Sequence, residues 1–183
     1  DEEVRIAPQR QAEHAQPNRA WFADFARTHA VALATHDDTT VEHVDEAQAL
    51  GAGMSEFPTS LAAARHAHAL GLCTVAGAPN VVRGGSHSGN VAALDLAKAG
   101  LLDALSSDYV PSSLLLAAWL LTRDAGFSLP EALAVVARRP ALACGLADRG
   151  ELAIGQRADL VRVRAVGDVP VVREVVVAGR RVV

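Results

Sequence analysis

Apolar and polar positions follow a repeating cycle along most of this chain: a short apolar run, a cluster of polar or glycine residues, then an alanine-rich stretch with helical spacing. The first run, 31–34, empties into Thr35-His36-Asp37-Asp38. Thr39, with Glu42 three positions on, has the form of a capping box and predicts a helix to about residue 50. The cycle recurs at 53–58, followed by a helix capped by Thr59 or Ser60 and stopped at Gly71. A third strand is predicted over 72–76, then a polar, glycine-rich loop over 77–90 and a helix over 91–99. The fourth run, 103–108, ends in a carboxylate, and Pro111 and Ser112 open a strongly apolar helix to about residue 125. Four such units predict parallel strands with right-handed crossovers, an α/β pattern.

The flanks differ. Residues 1–17 are polar and without pattern, and Asn18 is placed to cap a helix over 19–29 with Trp21, Phe22 and Phe25 on one face. Helices are predicted over 129–138 and 140–146. The texture then changes: 150–163 reads as two strands around a turn, and 169–178 and 180–183 add two more, separated by Gly179.

Composition narrows the class. With 183 residues, 50% hydrophobic and 21% charged, the chain is long enough for a real core and has the balance of a soluble globular protein. Aromatics make up only 4%, so the core is expected to be small and aliphatic. A net charge of −4 gives no electrostatic footprint for nucleic acid or anionic lipid. No apolar run approaches the roughly 18 residues of a membrane span, and no signal peptide is visible. Cys73 and Cys144 lack metal-type spacing and are expected to be small buried hydrophobes in a reducing, cytoplasmic compartment. The chain opens with Asp1-Glu2-Glu3 and no initiator methionine, so it is expected to be a piece of a longer one.

The candidate chemistry lies where α/β sheets carry their sites, just after the strands. In 77–90, glycines allow close backbone approach and successive N–H groups can form an anion cradle. Arg83 there is a planar cation suited to phosphate, and His87 can titrate near neutrality. The competing reading is a plain turn. His36 could present its imidazole to a metal with a neighbouring Asp orienting it, or be a hydrogen-bonded loop histidine. Asp108 could ligate metal and take a proton from bound water, or be a turn aspartate. Glu56 could be a third oxygen ligand or a solvated rim residue. His66 and His68, two apart on a helix, cannot share a face, and His14, His29 and His43 read as surface groups.

His36 after one strand, Asp108 three strands later, and the ending Gly150-Glu151-Leu152-Ala153-Ile154-Gly155-Gln156-Arg157-Ala158-Asp159-Leu160-Val161 together resemble the amidohydrolase superfamily. Within it, Thr35-His36-Asp37-Asp38, Glu56-Phe57-Pro58-Thr59, the 77–90 segment and Ser106-Ser107-Asp108-Tyr109 resemble the diphosphatases of the carbon–phosphorus lyase pathway. The resemblance implies the C-terminal half of a distorted (β/α)8, TIM-like barrel over residues 1–148, holding strands five to eight, with a small β-rich element over 149–183. It implies a metal-dependent hydrolase that releases pyrophosphate from a ribose triphosphate bearing methylphosphonate. His36, Asp108 and, less firmly anchored by the motif, Glu56 would be ligands of a divalent metal, zinc being the expected ion. Asp108 would be catalytic. Asn80, Arg83, Gly84, Gly85, Ser86, His87 and Asn90 would bind the phosphorylated small-molecule substrate. Nucleic acid and membrane are not expected as partners, and homo-oligomerisation is left open. The superfamily's ligands from strands one to four have no counterpart here, so the chain is expected to be inactive by itself. The rivals are another amidohydrolase acting on a cyclic amide or N-acetyl sugar, and a non-catalytic truncated α/β module.

Overall fold

Three of the four expected runs give a short strand; the first strand is shifted along the chain and takes Ala34, Thr35 and His36, sharing only Ala34 with the expected run 31–34, and each strand is followed by helix. In the computed structural model, which describes residues 2–86 and 89–183, the strands are β1 (Ala34–His36), β2 (Met54–Glu56), β3 (Cys73–Gly77) and β4 (Ala104–Ser106). They form one sheet in the order β1-β2-β3-β4, and every pairing is parallel. Parallel strands in sequence order require crossovers, supplied here by α2 (Val41–Ala49), α3 (Leu61–Ala69), and α4 (Ala78–Arg83) with α5 (Ala93–Lys98). The α/β fold with a parallel sheet is as expected, and this open arc is consistent with part of a TIM-like barrel.

The helices close down on the sheet through small side chains. Under α2 and α3 lie Val44, Ala47, Ala63, Ala67 and Leu72. A larger cluster joins α5 to α6 (Ser113–Asp124) and α7 (Leu129–Val136), with Leu96, Leu121 and Val135 fully buried. The helix expected over 129–138 stops at Val136, and α8 (Arg138–Ala143) begins two residues on. No helix among the described residues is long and apolar enough to cross a membrane.

Three local expectations are corrected. The first helix, α1 (Glu2–Thr28), starts near the chain's beginning, and Asn18 lies inside it instead of capping it. Pro17 removes one backbone bond, but Gln16 Nε2 and Arg19 Nη1 on either side both donate to Glu46 Oε1 of α2, at 3.2 and 2.7 Å. The cap of α2 is Thr40, whose Oγ1 accepts from His43 N–H, while the Thr39 hydroxyl donates to the Asp37 carbonyl at 3.1 Å and accepts from Thr59 Oγ1 at 3.0 Å. The Thr40 hydroxyl also holds the Glu42 carboxyl below its ordinary range. Finally, 150–159 forms no strand. Gly150 and Gly155 take φ of +97° and +88°, which breaks an extended run, and Leu152 and Ile154 stay exposed. The second sheet therefore consists of β5 (Leu160–Val166), β6 (Val169–Val177) and β7 (Arg180–Arg181), antiparallel throughout, with a register shift at Arg162/Val163.

Beneath β1 and β2 sits a buried carboxylate. Asp38 is 4% exposed, and its Oδ2 accepts from Thr35 Oγ1 and from Ser55 Oγ, both at 2.6 Å. Thr35, Ser55 and Thr74 are register partners across three strands. The network stops at Ser55, since Thr74 Oγ1 is buried without a hydrogen-bond partner.

The cysteines differ from each other. Cys144, expected to be buried, is exposed, because α8 has no buried residue. Cys73 is partly buried; desolvation, with the nearby Asp103 carboxylate and Cys144 adding to it, pushes its thiol up to about 11.

Two measurements check this packing. Ser55→Ala removes one donor to a buried carboxylate and should lower unfolding free energy by about 1.5–3 kcal/mol in denaturant titration. A loss too small to resolve would mean the Asp38 network is not a support of the sheet. In thiol alkylation, Cys73 at pH 8 is only about one part in a thousand thiolate, given its position near 11. Its labelling should rise about tenfold per pH unit up to pH 10 while Cys144 is modified first. Equal rates for both thiols at pH 8 would contradict the burial of Cys73.

Candidate functional site

The strands end at one edge, and the chain leaves three of them the same way. Immediately after β1 and β2, Asp37 and Phe57 take φ of +61° and +54°, and Asp108, two residues after β4, takes +49°. Non-glycine residues rarely occupy this left-handed region, and a bulky one there is a clear outlier. Backbone bonds hold the turns. Asp37 N–H donates to the Glu56 carbonyl at 2.9 Å and Phe57 N–H to the Val75 carbonyl at 2.8 Å, carrying the parallel ladder one residue beyond each strand. Asp108 N–H donates to Ser106 Oγ at 3.1 Å.

These turns surround a cavity of about 530 Å³, a size ordinary for a small-molecule site. His36, Asp37, Asn80, Ser86, Asn90 and Asp108 supply its polar lining, and Phe57, Pro58, Val91, Leu96 and Tyr109 an apolar wall. Gly77 lies between them. A Cβ there would come within 3.3 Å of both Asp108 Oδ2 and Phe57 Cε1, so a side chain at 77 would press on both groups and make them give by a few tenths of an ångström.

His36 is half-exposed, with Nδ1 3.0 Å from Asp37 Oδ2 and its ring edge-on to Phe57, centroids 5.0 Å apart at 81°. A carboxylate of the next residue therefore stands beside the imidazole, an arrangement that fits both readings of His36, oriented ligand and loop histidine. Asn80 spends its Oδ1 on the Ala93 N–H at 3.0 Å, joining α4 to the start of α5.

The segment 77–90 is not the continuous loop expected. Its residues 78–83 coil into α4, with Pro79 in the first turn and Gly84, at φ +83°, closing it. This short helix carries Pro79 and Asn80 to the cavity, while Arg83, three and four residues further on, continues the same helical face by one turn. Of the expected site residues, His36, Asn80, Ser86, Asn90 and Asp108 come together in the lining, and Glu56, Arg83, Gly84 and Gly85 do not. His87 lies outside the described residues. After β2 it is Phe57, not Glu56, that enters the lining, and Glu56 takes part through its carbonyl. Phe57 and Tyr109 were not among the expected site residues, since the reading looked for groups that titrate, ligate or donate. The signal that could have found them is position: each directly follows a residue at the end of a strand-and-turn motif.

The lining tests the expected metal. His36 and Asp108 offer the right donor types, imidazole nitrogen and carboxylate oxygen, but no group of three or more His, Cys, Asp or Glu side chains that could hold a metal ion occurs among the described residues. The two do not by themselves complete a metal centre. The other helical histidines diverge as expected, His66 onto Asp45 at 2.6 Å and His68 toward Asp103 at 3.6 Å.

Comparison with known proteins supplies the family context. A model described as the amidohydrolase family matches residues 5–183. Over 152 residues the chain is 51% identical to the alpha-D-ribose 1-methylphosphonate 5-triphosphate diphosphatase of Escherichia coli strain K12, a stretch covering 82% of this chain and 40% of that protein. The chain therefore spans about two-fifths of the length of this curated relative. Among solved structures, the crystal structure of an uncharacterized protein superposes with a TM-score of 0.65 at 19% identity, over 90% of this chain and 48% of that one. That likeness speaks to the fold.

Proposed function

The chain belongs to the amidohydrolase family, and we propose that it carries the carboxyl-end site of a hydrolase releasing pyrophosphate from α-D-ribose 1-methylphosphonate 5-triphosphate. The observation that carries this reading is the convergence of His36 and Asp108 with Asn80, Ser86 and Asn90 on one cavity, in a chain half identical to a protein named for that activity. In the reaction, water attacks the phosphorus next to the ribose, the α–β anhydride P–O bond breaks, and pyrophosphate leaves. Asp108, a carboxylate at the cavity, is the group suited to accept the proton of the attacking water. His36, with Nδ1 engaged by Asp37, has Nε2 left for a ligand. Asn90 and the Nδ2 of Asn80 are hydrogen-bond donors for phosphate oxygens, while Phe57 and Tyr109 offer flat apolar surface to the sugar side.

Charge decides where the phosphates lie. The lining brings two carboxylates, Asp37 and Asp108, and among the described residues it includes no lysine or arginine. A triphosphate is repelled by such a wall unless cations meet it. Arg83, one helical turn beyond Asn80, is suited to the distal phosphates at the rim rather than to the reacting phosphorus. Members of the family generally use divalent metals, which His36 and Asp108 would help to hold; the described residues gather no group of three or more His, Cys, Asp or Glu that could complete such a centre. A cytoplasmic setting, where the two thiols remain reduced, belongs to the same reading.

The same absence of lysine and arginine from the lining favours one rival, a neutral cyclic amide or N-acetyl sugar as substrate. A panel of amides and phosphoanhydrides separates the two.

In the full-length protein, His36→Ala or Asp108→Asn should lower turnover at least about a hundredfold, as loss of a working group at the reacting centre does. Activity within a few-fold of the parent in either variant would remove that residue from the site. Arg83→Ala should cost about 1.5–3 kcal/mol with triphosphate substrates and much less with monophosphate analogues. Equal losses on both would make the 77–90 segment structural only.

A further inference from the structure

We propose that Phe57 is a positioning residue: together with Asp37 it fixes the His36 imidazole so that Nε2 is the ring atom offered to a ligand. The inference rests on the reading of His36 as a working group of the cavity and goes beyond it by naming what holds the ring.

Alternation along the strand sets the starting point. An extended residue 57 would share a face with Ser55, which is fully buried among the helices, and an extended residue 37 would share one with Thr35. Both residues instead turn through the left-handed region, Phe57 at φ +54° and Asp37 at +61°, and both line the cavity. For a phenylalanine this backbone is costly and persists only where its surroundings compensate. Three contacts do so here. The Phe57 N–H donates to the Val75 carbonyl at 2.8 Å. The phenyl ring meets the His36 ring edge-on, centroids 5.0 Å apart. The ring also packs over Gly77, where a Cβ would come within 3.3 Å of it.

His36 is thereby restrained from two directions. Asp37 Oδ2 stands 3.0 Å from Nδ1, a carboxylate placed to favour the tautomer that carries the proton there. That contact alone would hold the ring weakly, because the two side chains are 58% and 59% exposed and an exposed pair yields to solvent. The aromatic contact supplies the second restraint: a swung imidazole would lose its edge-on packing as well as its carboxylate partner, while a ring turned over about Cβ–Cγ would keep the packing and lose the carboxylate. Nε2 has no protein partner among the described residues, and it is the atom left to meet a substrate oxygen or another ligand.

The test combines ring spectroscopy with kinetics on the full-length protein. Long-range proton–nitrogen spectra of neutral His36 should show the proton on Nδ1 and a bare Nε2. In Phe57→Leu both tautomers should appear, kcat on the phosphoanhydride should fall about tenfold, and KM should stay within about threefold. Phe57→Tyr, which keeps the ring, should restore most of both. Gly77→Ala serves as a second probe should Phe57→Leu fold poorly: it leaves Phe57 in place but crowds its ring, and should disturb the same His36 signals. A native His36 protonated on Nε2 would overturn the proposal, as would His36 signals unchanged in both Phe57→Leu and Gly77→Ala. The spectra are read without substrate, so an error in the substrate assignment shows in the kinetics alone and leaves the ring readout intact.

Discussion

Four strands paired in parallel and in chain order can present their carboxyl ends only at one edge, and everything functional in this protein follows from that constraint. The register aligns Ala34, Met54 and Cys73 in one row and His36, Glu56 and Val75 two residues on. The ladder does not stop where the strands do. Asp37 and Phe57 each donate one more backbone bond to the neighbouring strand, and the chain then turns sharply through left-handed residues. The backbone strain and the chemistry therefore occupy the same positions, which is the usual location of stored strain in a binding site.

What allows the strain is the stiffness below it. Asp38, one residue past the first left-handed turn, is buried and takes two short hydroxyl bonds from β1 and β2. The helices covering that face meet the sheet through alanines, so few large side chains intervene between them and the strand ends. The opposite character appears at the periphery. Trp21, Phe22 and Phe25 of α1 are 59%, 58% and 42% exposed; Trp21 meets Phe22 edge-on and stacks on Phe25, which stacks in turn on His29. Many valines of the β5–β7 sheet are exposed as well. The low aromatic content is thus not concentrated in the core; small aliphatic residues fill it, as the composition implied.

The order of strands and helices was legible because hydrophobic period and glycine punctuation agree in each unit. His36 and Asp108 were legible for the same reason, since a polar residue following a strand of an α/β unit falls at the site edge. Where the reading failed, a long-range contact had overridden a local signal. Pro17 and Asn18 read as a helix start, but bonds to Glu46 carry α1 through them. Thr39 matched a capping box by spacing, yet its hydroxyl accepts from Thr59, twenty residues on, and the helix is capped by Thr40. The glycine-rich stretch read as one loop because Gly84 and Gly85 dominate it, and the helix-compatible run 78–83 before them passed unnoticed. Position after a strand end could have marked Phe57, but its left-handed backbone could not be read: nothing local marks a phenylalanine that way, and the bond to Val75 and the room at Gly77 accommodate it there.

The functional reading sets a cavity of mixed character against a highly charged substrate, and that tension makes it testable. Two carboxylates in the lining disfavour a triphosphate, while the polar residues around α4, with Arg83 one helical turn beyond Asn80, and the family relationship favour one. Phosphorus NMR on the full-length protein supplied with α-D-ribose 1-methylphosphonate 5-triphosphate decides the matter directly. The account predicts equal amounts of pyrophosphate and the 5-monophosphate, with both falling away together in Asp108→Asn. A triphosphate left intact while an amide in the same tube is hydrolysed would contradict it.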